Sequence, residues 1–272
     1  MKIAVCVIGR LENLYAVEFV EHYKQLGVDK IFVYDNNHKD EEYFEDVLMD
    51  YINSGFVEVI NWRDRMVCQL DAYQDCYDRF NKDFDWMCFF DFDEFLHINF
   101  NFNMKSLLSS NIYENFEIIH VNWLCYGDSD LVYYDPRPLS ERFTKFIVPL
   151  DFQSSGLVAN SHVKSIIRGG LHVEWTNTPH TPDNVLKCCN PIGEEQDSKS
   201  PFAHPYNFYL MYIKHYTTKT LDEYYKIKRR RGYPDGNFAF FIYNDWLSKF
   251  FTYNNWNEEK QKYIDEVILK HK

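Results

Sequence analysis

Four short apolar segments, separated by stretches with helical periodicity, constrain this chain more than any other feature. Lys2 to Ile8, Lys30 to Tyr34, Phe56 to Ile60 and Trp86 to Phe90 each read as a buried strand. After the first, a turn at Gly9-Arg10 leads into Leu11, Leu14, Tyr15, Phe19, Tyr23 and Leu26 at helical spacing, and Gly27 closes the run. Asp40 to Ile52 and Val67 to Phe80 fill the next two gaps with the same period. Strands that are apolar throughout, each returned by a helix, are the pattern of parallel βαβ units. The first half of the chain is therefore expected to be α/β.

Each of these strands ends in polar residues, and the fourth ends in the most acidic segment. In Asp85-Trp-Met-Cys-Phe-Phe-Asp91-Phe-Asp93-Glu94-Phe-Leu96, an apolar strand stops at three carboxylates within four positions. Unpaired carboxylates are costly inside a sheet, so the cluster belongs at a carboxyl-terminal strand end, where open α/β sheets bind ligands. Extended backbone would point Asp91 and Asp93 to the same side. Two readings stand: a solvated acidic turn, or a pair for a hard divalent cation that also takes oxygens from a diphosphate. Gly9-Arg10 follows strand one and Asp35-Asn36 follows strand two. A cation, a base-reading carboxylate and a metal-binding pair along one edge are what a nucleoside diphosphate requires. Neither a Gly-x-Gly-x-x-Gly nor a Walker loop is present, so neither a dinucleotide nor ATP held by a P-loop is favoured.

After about residue 130 prolines interrupt the pattern, at 136, 138, 149, 179, 182, 191, 201 and 205. This half reads as loop-rich, with Val163 to Ile167 a strand and Leu221 to Arg231 a helix capped by Thr220. Phe238 to Phe251 and Glu258 to Lys270 read as closing helices. The expectation is one continuous domain over 1–235 with a helical extension over 236–272. The net charge of −12 argues against nucleic acid as a general partner. An aromatic content of 18% suits a thick core and sugar-binding clefts alike. The basic run Lys226 to Arg231 reads either as a solvated helix face or as a peripheral contact with a membrane surface. Cys6 and Cys88 sit in apolar strands as small buried thiols, and the seven cysteines form no disulfide framework. No secretory signal or membrane span is visible, and a cytoplasmic location is expected.

The residues also carry a family resemblance. Leu14-Tyr-Ala-Val-Glu18-Phe-Val-Glu-His22-Tyr, Gly27-Val-Asp-Lys-Ile-Phe-Val-Tyr-Asp35-Asn36, Gln69-x-x-Ala72-Tyr and the Asp85 to Leu96 segment resemble the family 2-like and family 92 glycosyltransferases. Trp123-x-x-Tyr-Gly127, Lys164-Ser-Ile, and Lys214-His215-Tyr216-x-x-Lys219 with Arg231-Gly232 are similar to the same group in the same order. One departure is Gly9-Arg10-Leu-Glu12, where relatives more often have Arg-Asn-Glu. The resemblance implies a GT-A fold, the Rossmann-like fold of nucleotide-diphospho-sugar transferases, working with Mn²⁺ or Mg²⁺. It implies donor-binding roles for Arg10, Asp35, Gln69, Asp91 and Lys219, acceptor-binding roles for Trp123 and Gly127, and metal ligation by Asp91, Asp93 and His215. His215 also has a plainer reading, as a packed histidine beside Tyr216. UDP-galactose or UDP-glucose and an inverting outcome belong to the same resemblance.

An inverting transfer needs a carboxylate to deprotonate the acceptor hydroxyl. By order along the chain Asp183 is the first candidate and Glu174 the second, with Asp235 behind both. The expected function is hexose transfer to a glycan or lipid-linked glycan acceptor, in surface polysaccharide or lipopolysaccharide synthesis. A nucleotidyltransferase or metal-dependent phosphohydrolase would also use paired aspartates. A non-catalytic carbohydrate-binding protein would account for the aromatic content but not for the acidic strand ends.

Overall fold

The computed structural model describes residues 1–147, 159–184, 186–232 and 246–271. Its first part alternates strand and helix as the sequence predicts: β1 (Ile3–Gly9), α1 (Asn13–Gln25), β2 (Lys30–Asp35), α2 (Glu45–Asn53), β3 (Val57–Asn61), α3 (Gln69–Phe80) and β4 (Trp86–Phe89). These strands pair in parallel in the order β3-β2-β1-β4. Six more strands follow: β5 (Glu94–Ile98), β6 (Ile118–Cys125), β7 (Val163–Arg168), β8 (Cys188–Cys189), β9 (Glu195–Gln196) and β10 (Met211–His215). Four of them extend the sheet as β4-β7-β6-β10-β5, with β7 antiparallel to both β4 and β6, while β8 pairs with β6 and with β9. The α/β class is as expected.

Where the helices differ from expectation, the cause is local. The helix predicted from Asp40 begins only at Glu45. The preceding residues are held as a loop, because Arg63 donates to the carbonyls of His38, Glu41 and Glu42. Helix α3 starts at Gln69 and not Val67, whose φ of 50° lies in the left-handed region. β5 lies in a segment to which the sequence pattern assigned no element, and β8, β9 and β10 fall in the half read as loop-rich. β10 nonetheless carries the period of two in its burial, with Met211, Ile213 and His215 inward.

The chain folds as two compact units. The first comprises 1–124 and 149–214. Its core packs Ala4, Cys6, Ile8, Phe32 and Tyr34 of the sheet against Ala72, Tyr73, Cys76 and Tyr77 of α3. The second comprises 125–148 and 215–272. Here Leu221–Glu223, a π turn over Tyr224–Lys228 and Arg229–Arg231 form one unbroken helical run. Thr220 caps it as predicted, its side chain accepting from Glu223 N while the Glu223 carboxylate accepts from Thr220 N. Tyr224, Trp246, Phe250, Tyr263 and Ile264 form that unit's core. Two buried ion pairs accompany it, Arg142 with Glu223 at 2.9 Å and Lys260 with Asp128 at 2.5 Å. The expected boundary at 235 lies outside the described residues, as does Asp235. All seven cysteines are buried thiols. Among the described residues, no helix is long and apolar enough to cross a membrane.

Gly9, the last residue of β1, is a point of close approach. A Cβ there would lie 2.5 Å from the ring of Phe92, which stacks on Phe44 with centroids 5.1 Å apart. The ring cannot retreat without disturbing that stack. Gly9→Ala should destabilise the protein by about 1–3 kcal/mol, the usual cost of overpacking. Urea unfolding measures this; an unchanged midpoint would mean that Phe92 has room to move.

Candidate active site

β4 stops at Phe89, and the acidic segment closes a tight turn before β5. Glu94 N donates to Asp91 O at 2.9 Å, and Asp91 N donates back to Glu94 Oε2 at 3.0 Å. The ring of Phe92 fills the space beside Gly9, Phe19 and Phe44 and pins the turn to the sheet. The alternation expected of an extended Asp-x-Asp therefore does not apply: these residues bend back through a hydrogen-bonded turn. Asp93 is buried at 4% exposure, whereas the Asp91 side chain is 32% exposed.

Asp91 is enclosed by donors from two elements. Oδ1 accepts from Gln69 Nε2 at 2.8 Å and from Tyr73 Oη at 3.0 Å, both on the first turns of α3. Oδ2 accepts from Lys164 Nζ of β7 at 3.0 Å. The same ammonium lies 3.5 Å from Glu94 Oε2. Burial works against charge on Lys164, but Asp91 and Glu94 outweigh it and raise its pKa. Burial pushes the Glu94 carboxyl well above the ordinary range; Lys164 draws it back, and Asp91 and Asp93 push it further up.

A second group of charges surrounds the end of β2. Gly9 and Asp35 are register partners, so the ends of β1 and β2 lie side by side. Asp35, 2% exposed, accepts on Oδ1 from Asn37 N at 3.0 Å and from its amide at 2.7 Å, while Oδ2 pairs with Arg63. Both oxygens of this expected donor ligand thus hold the loop that follows it. Arg10 grips Glu41 with two bonds, Nε to Oε2 at 2.8 Å and Nη2 to Oε1 at 2.7 Å. That contact holds the Glu41 pKa down at about 2.

The remaining expected residues have local surroundings of their own. Trp123 stacks on His162 with centroids 4.8 Å apart and meets the edge of His180 at 5.0 Å. Asp183 clamps its own loop, with Oδ2 accepting from Thr176 N at 2.5 Å and from Asn177 N at 3.1 Å. Burial alone would raise its pKa, but bonds from Asn177 and Thr176 outweigh burial and lower it. That is a poor setting for a general base. Glu174 is exposed and lies 3.0 Å from His172 Nε2. His215, Lys219 and Gly127 belong to the second unit. His215 is buried with Nδ1 3.9 Å from Cys125 Sγ, and Lys219 is buried with φ of 55°. Gly127 is a packing position: a Cβ there would meet Asn254 Oδ1 at 2.8 Å. In the basic run, Lys226 pairs with Asp222, Lys228 donates to Thr217 O, and Arg229 lies over Tyr225.

The structure thus brings Gln69, Asp91 and Glu94 together with Tyr73 and Lys164, and sets Arg10 and Asp35 on the adjoining strand ends. Sequence pattern assigned no role to Tyr73, Lys164, Arg63 or Glu41. Two local signals were present: Tyr73 lies four residues after Gln69 on α3, and Lys164 is a cation inside a buried strand. Among the described residues, no group of three or more His, Cys, Asp or Glu side chains is gathered as an ion site. The acidic turn still fits a divalent ion of the magnesium type, which takes one or two carboxylates and completes its shell with phosphate and water.

The glycosyltransferase family 92 profile matches residues 1–178. A glycosyltransferase family 92 protein of Ricinus communis is 25% identical over 148 residues, 53% of this chain and 26% of that protein. The chain therefore spans about a quarter of that relative's length. Among solved structures, S. aureus TarS 1–349 aligns over 100% of this chain and 77% of its own, at 10% identity and a TM-score of 0.41. The same protein in complex with UDP-GlcNAc aligns at 9% identity and a TM-score of 0.41.

The Arg10–Glu41 pair makes a pH prediction. Glu41 titrates near 2 in the folded protein, against an ordinary value of 4.5. Its contribution is present above about pH 4.5 and is lost as pH falls toward 2. Melting temperature should accordingly fall more steeply over that window in the wild type than in Glu41→Gln. Parallel curves would show that the pair adds no stability.

Proposed function

Because this chain belongs to glycosyltransferase family 92, we propose that it transfers a hexose from a nucleoside diphosphate sugar to a hydroxyl of a glycan acceptor. The observation that carries this reading is the acidic turn at the carboxyl end of β4, beside the ends of β1 and β2. That edge is where an open parallel sheet binds a nucleotide. UDP-galactose or UDP-glucose is the favoured donor, with inversion at the anomeric carbon. Surface polysaccharide or lipopolysaccharide is the favoured product. A lipid-linked acceptor would be met at a membrane face, and the exposed Arg229 and Arg230 offer a peripheral contact.

Cleavage of the sugar–phosphate bond builds negative charge on the departing diphosphate. A bound Mn²⁺ or Mg²⁺ supplies a Lewis acid for that charge. Asp91 and Asp93 would hold the ion. Gln69 and Tyr73 keep Asp91 oriented through its other oxygen, so the carboxylate need not reorganise when the donor arrives. Asp35 orders the loop beside the nucleotide through Arg63 and Asn37, a positioning role in donor binding. Trp123 offers an aromatic face to the acceptor sugar. Of the two candidate bases among the described residues, Glu174 fits better than Asp183, whose lowered pKa weakens it for taking a proton.

Asp93→Asn should lower hexose transfer by on the order of a hundredfold or more, the scale on which lost charge stabilisation acts. Circular dichroism should stay unchanged. UDP binding should require the ion, because diphosphate and acidic turn repel each other without it. Calorimetric titration of UDP in EDTA and then in Mn²⁺ tests the reading. Equal affinity in the two buffers, together with full activity of Asp93→Asn, would sink it.

A further inference from the structure

Lys164, on β7, reaches the acidic turn with its ammonium. Its side chain is 1% exposed, and its strand neighbours Val163, Ser165, Ile166 and Ile167 are fully buried. Removing an ammonium from water is costly, and the cost is repaid only where carboxylates stand close. Here Asp91 Oδ2 lies at 3.0 Å and Glu94 Oε2 at 3.5 Å. Building on the donor-site reading, we propose that Lys164 is a positioning residue, an internal cation that shares Asp91 with the divalent ion and makes ion binding depend on the nucleotide.

The lone pairs of Asp91 are nearly all engaged. Oδ1 takes both Gln69 and Tyr73, and Oδ2 takes Lys164, so one acceptor position remains, on Oδ2. A divalent ion arriving there alone meets a fixed positive charge within a few ångströms, in surroundings that screen poorly. A diphosphate arriving with the ion brings the negative charge that offsets this repulsion. The ammonium also replaces the ion as partner of Asp91 while the site waits, so the carboxylate keeps its orientation. The donor site is thus set against idle metal binding and toward joint entry of ion and nucleotide.

Binding of Mn²⁺ tests the proposal without reference to turnover. Titrations of the full chain, following the spectrum of free aqueous Mn²⁺ by electron paramagnetic resonance, compare wild type, Lys164→Met, Lys164→Gln and Lys164→Arg, each with and without UDP. Lys164→Gln keeps a hydrogen bond to Asp91 but drops the charge, and it stands in if Lys164→Met fails to fold. Both neutral variants should bind Mn²⁺ alone at least tenfold more tightly than wild type, and UDP should add less to their affinity. Lys164→Arg should stay within threefold of wild type. A lowered melting temperature with unchanged Mn²⁺ affinity would make Lys164 a structural residue and overturn the proposal. If the wild type binds neither UDP nor Mn²⁺ with UDP, the donor-site reading itself has failed and this inference falls with it.

Discussion

A strand buried on both faces that ends in carboxylates sets a constraint to which much of the first unit answers. β4 is flanked by β1 and β7, and its residues are wholly enclosed. Asp91, Asp93 and Glu94 leave it with acidic groups next to the core, where the desolvation of their charged forms would be prohibitive without compensation. Compensation comes from three directions. α3 contributes Gln69 and Tyr73, β7 contributes Lys164, and the turn's own backbone binds the Glu94 carboxylate. Packing then locks the arrangement, since Phe92 can seat only because β1 ends in a residue without a side chain. Charge and shape are met together at this turn.

The loop after β2 is built on the same economy of charge. Asp35, Arg63, Arg10 and Glu41 bind one another and the intervening carbonyls, so a segment that reads as helix is held as irregular backbone. Such a loop is ordered before any ligand arrives, and little conformational entropy remains to be lost on binding. The pairing has a second effect: charges expected to face a ligand are first of all partners of each other.

The parallel half of the fold was legible because β1, β2 and β4 are apolar on both faces and each is followed by a helical period. β5 follows directly on the acidic residues that end β4, and its burial does not alternate, so no strand period marked it. β8 and β9 are two residues long, too short for any period to show. At the site, the strand-end carboxylates were visible as a pattern, and Gln69 proved to be in contact with Asp91. Their cationic partners were not visible in that way. Lys164 is 73 residues from Asp91, Arg63 is 28 from Asp35 and Glu41 is 31 from Arg10. Periodicity reports which face of an element is buried; it carries no information about which buried ions meet across a sheet. Asp183 shows the converse, a carboxylate picked for its place in the chain whose bonds are all local.

The order of strands carries a geometric consequence. β4 and β5 are consecutive in the chain, yet in the sheet they are separated by β7, β6 and β10. Four inter-strand steps of about 4.8 Å would set them roughly 19 Å apart if the sheet were flat. The connection cannot reach that far, because a hydrogen-bonded turn brings its ends within about 7 Å and two further residues add about 7 Å more. The sheet has to roll over until its free edge returns toward its middle, and the acidic turn is the seam that joins them. A residue inserted between Phe90 and Glu94 would thus slacken the roll itself, reaching strands that never touch a carboxylate.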